Sequence, residues 1–442
     1  MSRSRLRVSP RVWTMAAMAA FAIGVLPACS QPLSELDRGR GHIMLKAIKE
    51  EVKKTYYDPT FHGLDLEAHF TTADHKIDLA TSNGQVFGII AQFLIDFDDS
   101  HLFFMPPRRA ARVEYGWRYQ AIGDNCFVVA VKPGSEAEKQ GLRPGDLVAQ
   151  IDGFHPTRAN VRTLQYLYNS LRPRPGMRLV VKKPDGAQQQ IEFAAQVLQE
   201  KRRIDLTSDT DFWAFIRDAE NEERLHRHQY LELEDVFIWK MPQFDLDDRE
   251  IRRLMGKAMK SRALILDLRG NPGGYVDTMT DLLGYFFDHD VKIADVKGRR
   301  ETKPLTAKTR GDRSYKGEVV LLIDSESGSS AELLARIFQL QKRGTVIGDQ
   351  SAGAVMRAQQ NSMRTGADLI VIYGVSVTDA DVIMTDGASL EHKGVIPDEI
   401  LLPSAADLAG GRDPVLARAA KLVRMDLDPE RAGSMFPVEW RK

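Results

Sequence analysis

Cysteine is almost absent from this chain of 442 residues, which contains only Cys29 and Cys126. Two cysteines cannot form a disulfide framework, and the chain shows no zinc-ligand spacing. Acidic and basic residues number 61 each, so no excess of positive charge favours nucleic acid. Outside one segment near the amino terminus, no apolar run is long enough to span a bilayer. The hydrophobic content of 43% is ordinary for a folded soluble protein, and 442 residues exceed the size of one ordinary domain, so we expect more than one domain.

The first 29 residues have the composition of an export signal. Four arginines within the first eleven residues precede an apolar run from Val12 to Val25, and small residues follow it. The exit from this run resembles a bacterial lipobox, in which Cys29 becomes the lipidated first residue of the mature protein. We therefore expect a lipid-anchored protein of the bacterial envelope or periplasm, with residues 30–41 as a polar tether. A cleaved signal with a coincidental cysteine is the alternative.

The rest of the chain changes its pattern three times. Apolar residues at helical spacing, first from Ile43 to Tyr57 and then from Val86 to Phe97, predict a small helical domain that ends near His101. Short strands punctuated by glycine and proline come next, followed by alternating strands and helices typical of an α/β layer. The predicted boundaries are 42–111 for the helical domain, 112–200 for the strand-rich domain, 201–403 for the α/β core and 404–442 for a helical tail.

The strand-rich region contains a sequence motif that is typical of a known binding domain. Gly141-Leu-Arg-Pro-Gly-Asp-Leu-Val148, followed by Ile151-Asp-Gly153, resembles a PDZ domain. PDZ domains bind extended C-terminal peptides by strand addition, with loop amides that hold the carboxylate. The resemblance implies a domain that binds peptides, and a domain that serves only as a spacer is the alternative. The implied carboxylate loop comprises Tyr119, Gln120, Ala121, Ile122 and Gly123.

Two motifs in the α/β region point to acyl transfer. A predicted apolar strand leads into the glycine turn Arg269–Gly274, and Ser329-Ser-Ala-Glu332 opens a predicted helix. A serine at a helix start supplies a nucleophile, and free amides supply a place for an oxyanion. The pair resembles the tail-specific, or C-terminal-processing, family of serine peptidases. The resemblance implies a core of the ClpP/crotonase-like type, Ser329 as nucleophile, and oxyanion donors from Ser330 and from Gly274 or Gly273.

The general base requires a different branch of that family. Many members use a lysine, and Ala354 stands in the matching place, where it cannot accept a proton. The tricorn-like branch uses a histidine ahead of the PDZ domain and a late glutamate. The motifs Asp-Ser-His and Leu-Glu-x-x-Gly-Val-x-Pro-Asp resemble these two elements. The implied relay runs from Glu391 through Ser100 to His101, which takes the proton of Ser329.

Each of these residues also has a structural interpretation. Ser329 with Glu332 matches a capping box, so the serine alone predicts only a helix start. An alternative for Glu391 is a surface charge in a turn, and its neighbour His392 is an alternative to His101 as the base. Cys126 lies in a strand-like run and is expected to be a buried thiol.

The sequence as a whole predicts an exported serine endopeptidase that cuts proteins or peptides near their C-termini. Acyl-enzyme chemistry needs a nucleophile, a base and an oxyanion hole, so neither a metal nor a cofactor is implied. The expected partners are substrates with free C-termini and a membrane reached through Cys29. Two alternatives remain open at this point: an inactive peptide-binding lipoprotein adaptor, and a hydrolase of non-peptide acyl substrates.

Overall fold

The computed structural model describes residues 33–109, 111–199, 224–366 and 370–441. The predicted export signal and Cys29 lie outside these residues. Across the described part of the chain, no helix combines the length and the apolar character needed to cross a membrane.

The amino-terminal part is helical and begins earlier than the sequence indicates. The Ser34 side chain accepts the N–H of Asp37 and caps the first helix, and Glu35 in its first turn suits the positive end of the helix dipole. The prediction of a polar tether was therefore wrong for residues 35–41, which are helical. The elements of this part are α1 (Glu35–Thr55), α2 (Leu66–Asp78), α3 (Asn83–Ile95) and β1 (Phe103–Met105).

The three helices bury a shared apolar core. Ile48 of α1, Ile77 of α2 and Ile90 of α3 are all fully buried within it. Helix α3 is capped by Ser82, and the chain leaves it through a turn that contains His101 before entering β1. The histidine is thus held between a packed helix and a strand, on a segment with little freedom to move.

The strand-rich part folds around a five-stranded antiparallel sheet in the order β3-β4-β5-β6-β7, and strands β2 and β8 form a separate ribbon. Helix α5 continues into a wider helical turn at Leu167–Leu171. The elements are β2 (Ala111–Glu114), β3 (Trp117–Ile122), β4 (Asn125–Val131), α4 (Glu136–Lys139), β5 (Leu147–Ile151), α5 (Val161–Tyr166), β6 (Gly176–Lys182), β7 (Gln188–Ala194) and β8 (Gln196–Gln199).

The predicted carboxylate loop is mostly a strand. Tyr119 to Ile122 belong to β3, where Tyr119 pairs with Val128 and Ile122 with Asn125 of β4. Gly123, with φ of 57°, lies in the turn that joins the two strands. Aromatic and branched residues favour a strand at these positions, and the turn begins only where glycine permits positive φ. The loop assignment was therefore wrong for the residues before Gly123.

The carboxyl-terminal half contains two sheets. The first has the order β18-β15-β14-β11-β10-β9, and all its pairs are parallel except β9 with β10. The elements are β9 (Gln229–Leu233), β10 (Val236–Lys240), α6 (Asp248–Ala258), β11 (Ala263–Asp267), α7 (Val276–Leu283), β12 (Val291–Gly298), β13 (Thr302–Ala307), β14 (Glu318–Ile323), α8 (Ser330–Leu340), β15 (Thr345–Gly348), β16 (Met356–Thr365), β17 (Val371–Met384), β18 (Glu399–Ile400), α9 (Ala405–Ala409), α10 (Pro414–Leu422) and α11 (Pro429–Ser434).

The parallel sheet is covered on both faces. One face packs against α6, α7 and α8, and the other packs against residues of α10, including Leu416 and Ala419. Strands buried on both faces carry continuous apolar runs, as β10, β11 and β14 do, and this signal underlies the predicted α/β layer. The helical tail is therefore a structural layer of the core.

The second sheet joins the helical part to the core. Its order is β1-β17-β12-β13, and β16 also pairs with β17. Strand β1 lies antiparallel to β17, with Phe104 opposite Val375, and both side chains are fully buried. The segment that carries His101 is consequently anchored to the α/β half by main-chain hydrogen bonds.

Replacing Leu321 with alanine tests the core directly. Leu321 is fully buried in β14, so Leu321→Ala should lower the free energy of unfolding by about 2–5 kcal/mol, through lost burial and the cavity left behind. Urea denaturation measures this change. Leu79→Ala is the matched control, because Leu79 is 70% exposed and its loss should change stability by less than about 0.5 kcal/mol. Equal losses in the two variants would contradict the assignment of β14 to the core.

Candidate active site

Ser329 lies at the junction of β14 and α8, in an unusual backbone conformation. Its φ is 52° and its ψ is −117°, a region that residues with a Cβ rarely adopt. Its N–H is held by two acceptors, the carbonyl of Ala354 at 2.9 Å and Oε2 of Glu332 at 3.0 Å. The capping role of Glu332 is thus present, and it fixes the residue that the sequence identifies as the nucleophile.

The glycine turn after β11 packs directly against Ser329. A Cβ on Gly273 would stand 2.6 Å from the Cβ of Ser329, and a Cβ on Gly274 would stand 2.3 Å from the carbonyl oxygen of Phe244. Both glycines also have positive φ, of 108° and 140°. A larger residue at Gly273 would collide with Ser329, and one at Gly274 would collide with the backbone of Phe244, so both glycines are required by close packing.

Among the amides around Ser329, two are candidates for oxyanion donors. The N–H of Gly273 already donates to Oδ1 of buried Asn271 at 2.8 Å, which makes it unsuitable. The N–H groups of Gly274 and Ser330 have no acceptor within the described residues. The geometry therefore favours Gly274 over Gly273, with Ser330 at the amino end of α8 as the second donor.

The histidine, serine and glutamate predicted as a relay are in hydrogen-bond contact. Oγ of Ser100 lies 2.8 Å from Nδ1 of His101 and donates to Oε2 of Glu391 at 2.9 Å. The Ser100 N–H donates to the other carboxylate oxygen of Glu391, also at 2.9 Å. Residues 291 positions apart in the sequence thus form one hydrogen-bonded unit. With Nδ1 engaged, the other ring nitrogen, Nε2, is the atom that remains to accept a proton.

Asp99 is a further member of this cluster whose contacts the sequence did not predict. Its Oδ1 accepts the N–H of His101 at 2.9 Å and the hydroxyl of Thr378 at 2.6 Å. Its Oδ2 accepts the hydroxyl of Tyr56 at 3.0 Å. The carboxylate therefore joins helix α1, strand β17 and the histidine backbone, and it fixes the turn that presents the imidazole.

The surroundings of His101 favour its neutral form. Burial lowers the pKa of His101 below the ordinary value of 6.5. The nearby Asp99 carboxylate opposes this shift, and the positive charge of Arg162 on α5 adds to it. Burial also raises the pKa of Glu391, although hydrogen bonds from Ser100 and Val355 stabilise its carboxylate. A neutral imidazole near pH 7 is the form that a general base requires.

A second buried carboxylate lies between Ser329 and the hydrogen-bonded unit of His101, Ser100 and Glu391. Glu332 is fully buried, and besides the Ser329 amide it accepts the Ser351 hydroxyl at 2.6 Å and the N–H of Gly353 at 2.8 Å. Its Oε2 also accepts the N–H of Ala354 at 2.9 Å.

The next amide in the chain, that of Val355, donates to Oε2 of Glu391 at 2.8 Å. Adjacent amides of one segment are therefore bound by the carboxylate beside the serine and by the carboxylate beside the histidine. The position where a lysine would stand contributes its backbone instead of a side chain.

Two other side chains that could act as a base, those of His392 and Lys342, are not placed to serve Ser329. Nε2 of His392 is 3.0 Å from the carbonyl oxygen of Asp98 and is occupied by that contact. Lys342 follows the carboxyl end of α8, and the 11 residues of that helix separate it from Ser329 by about 16 Å. Neither side chain is positioned to serve the serine.

A large cleft separates β3 from the ends of the parallel strands. Its volume is about 890 Å³, and it reaches Pro272, the residue before the two glycines. Gln120 of β3 donates to Asp324 across the interface at 3.2 Å, and Gly123 donates to Asp349 at 2.9 Å. The strand-rich part thus forms one wall of a groove that leads toward the glycine turn.

Comparison with known proteins gives a consistent family assignment. Residues 236–401 match peptidase family S41. The chain is 24% identical over 389 residues to the putative tricorn protease homolog 2 of Streptomyces coelicolor, covering 84% of this chain and 31% of that protein. It is 24% identical over 320 residues to the tail-specific protease of Haemophilus influenzae, covering 68% of this chain and 43% of that protein. The chain therefore spans less than half the length of these two relatives.

The fold is similar to that of mature CPAF. The two structures superpose with a TM-score of 0.63 at 15% identity, and the match covers 85% of this chain and 94% of the other. The identity is low, so this likeness concerns the mixed α/β fold alone. The family match identifies residues 236–401 as a peptidase family S41 domain, and the names of the two relatives agree with it.

Proposed function

We propose that this protein is a serine endopeptidase that forms an acyl-enzyme on Ser329. The observation that carries the proposal is the hydrogen-bonded unit of His101, Ser100 and Glu391, tied through adjacent backbone amides to the carboxylate that holds Ser329. The tricorn protease homolog among the relatives supports the histidine branch, and so does the alanine at the lysine position.

The reaction follows from the proposed roles. Nε2 of His101 takes the proton of Ser329 as Oγ attacks the substrate carbonyl carbon, and the amides of Gly274 and Ser330 receive the oxyanion. The imidazolium then gives its proton to the leaving amine, and water attacks the acyl-enzyme with the same histidine as base. Ser100 and Glu391 hold the imidazole tautomer and stabilise its positive charge.

The substrate is proposed to be the C-terminal region of a protein or peptide. Two kinds of relative carry names that state such an activity, the tail-specific protease and the carboxy-terminal processing protease of Bacillus subtilis. We propose that residues 112–199 are a PDZ domain that admits this segment along the outer edge of β3. In this structure the carbonyls of Tyr119 and Ala121 accept hydrogen bonds from Gln165 and Ser325, so an added strand would replace these bonds.

Export and lipid attachment complete the proposal. The basic, apolar and small-residue pattern that ends at Cys29 supports delivery to the bacterial envelope with a lipid anchor. Metabolic labelling with a clickable fatty acid in a bacterial host should mark the full chain and fail to mark Cys29→Ser. Equal labelling of both chains would refute the anchor.

The nucleophile and the base are tested together. Ser329→Ala and His101→Ala should each reduce hydrolysis of a C-terminal peptide substrate by about 10³-fold or more, because each removes an atom that takes part in the proton transfer. Lys342→Ala is the matched control and should retain full turnover. Labelling by a fluorophosphonate should occur in the parent protein and be absent from Ser329→Ala. Absence of labelling in the parent protein, with peptide binding retained, would instead favour an inactive adaptor.

The pH dependence tests the environment of His101. The base works only when neutral, so activity is present above its pKa and is lost as the pH falls through it. Because burial lowers that pKa, the acidic limb of kcat/KM should have its midpoint below pH 6.5.

Asp99→Asn should move this midpoint to still lower pH, because it removes the carboxylate that stabilises the imidazolium. Asp185→Asn, in a turn of the strand-rich part, is the control and should leave the midpoint unchanged. A midpoint that rises in Asp99→Asn would contradict the assignment of His101 as the base.

A further inference from the structure

Arg118 of β3 points into the cleft and is occupied there by another part of the same chain. Successive residues of a strand face opposite sides, and Trp117 and Tyr119 stack on each other at 4.7 Å within the core of the strand-rich part. Arg118 therefore faces the other way, as does Gln120, which reaches Asp324 across the interface. The guanidinium donates to the carbonyl oxygen of Glu439 at 2.8 Å.

The same guanidinium lies over an aromatic ring. Its central carbon is 4.9 Å from the centre of the Trp440 indole, within the distance at which a cation is attracted to a ring face. Arg118 therefore contacts two consecutive residues of this segment, Glu439 by a hydrogen bond and Trp440 by a ring contact. A planar guanidinium can make both contacts at once, whereas an ammonium group cannot stack in the same way.

A second arginine holds the segment from the other side. Nε of Arg224 lies 3.0 Å from Oε2 of Glu439, and the Arg224 guanidinium also donates to the carbonyl of Trp440. Both the acidic side chain and the main chain of the segment are therefore bound. Phe436, Pro437, Val438 and Glu439 contribute to the wall of the same 890 Å³ cleft that reaches the glycine turn.

We propose that Arg118 forms a binding subsite for an aromatic residue preceded by an acidic residue in an extended peptide, and that residues 439–440 fill this subsite in the free protein. The proposal rests on the proposed function, which names a peptide as the ligand. It adds the chemistry of the peptide residues that the Arg118 subsite recognises. Glu439 and Trp440 show that chemistry: a carbonyl for the guanidinium, a ring for its face and a carboxylate for the neighbouring arginine.

Self-occupancy has a thermodynamic consequence. A peptide that needs the Arg118 subsite binds only to molecules in which Trp440 has left it, so its apparent Kd equals the intrinsic Kd divided by the fraction of molecules with a vacant subsite. Removing the indole should therefore tighten peptide binding while leaving the catalytic cluster untouched.

The test measures binding without hydrolysis. The protein is the full chain with Ser329→Ala, and the probe is a fluorescein-labelled peptide with the sequence of residues 436–442, Phe-Pro-Val-Glu-Trp-Arg-Lys. Fluorescence anisotropy gives its Kd. Adding Trp440→Ala to the protein should lower that Kd by about threefold to tenfold, in keeping with the strength of a partly exposed cation–π contact. A probe with alanine in place of tryptophan should bind more weakly to both proteins.

A double-mutant cycle identifies Arg118 as the shared partner. Arg118→Ala should weaken probe binding, and Trp440→Ala should then have no further effect, because the subsite for which the indole and the probe compete is gone. Leu79→Ala is the control: this side chain is 70% exposed, lies on the helical part and does not line the cleft, so its loss should leave the Kd unchanged. An unchanged Kd in Trp440→Ala, or the same gain in the Arg118→Ala background, would overturn the proposal. If the parent protein did not hydrolyse peptides, only the proposed function would be refuted, because the binding assay involves no turnover.

Discussion

The contact between Glu391 and Ser100 connects the two halves of the proposed catalytic cluster. A helical segment near the beginning of the chain brings the imidazole, and a loop after the last long strand brings the carboxylate. Two hydrogen bonds of 2.9 Å join the glutamate to the backbone and the side chain of the same serine. A bidentate contact to a short residue leaves little rotational freedom, so the imidazole beside it has a defined tautomer and direction. The position of every other group in the relay depends on this junction.

A segment of backbone extends that constraint to the nucleophile. The consecutive amides of Ala354 and Val355 are bound by different carboxylates, Glu332 on the serine side and Glu391 on the histidine side. Movement of either carboxylate would displace the segment and disturb the other. Ala354 has no side chain that could act as a base, but its main chain still helps to link the two parts of the cluster.

The elements that could be predicted from the sequence are those with a local signal. Strands such as β14 lie inside a parallel sheet and are apolar over most of their length, here Val319 to Ile323, and helix α8 begins with a serine and a glutamate in capping positions. The roles of Ser100, His101 and Glu391 came from resemblance to a family, since nothing local to these residues predicts that they meet. The contacts of Asp99 were not predicted, because Tyr56 and Thr378 approach it from distant segments. The error at residues 35–41 comes from weighting polar composition above the cap at Ser34. The error in β3 comes from placing the carboxylate loop by resemblance to PDZ domains, whereas pairing with β4 makes Tyr119 to Ile122 a strand.

The pairing of β1 with β17 changes what counts as a unit of folding in this chain. By sequence, the helical part and the α/β part are separate domains with a third between them. In the structure, a strand of the first completes a sheet of the second, and Phe104 shares the core of the helical part with Tyr373, Val375 and Val377 of β17. A fragment that began after β1 would present an unpaired strand edge to solvent, the kind of edge that recruits other chains. The two parts are consequently expected to unfold as one cooperative block, and evolution could not exchange the helical part without also replacing a strand of the peptidase half.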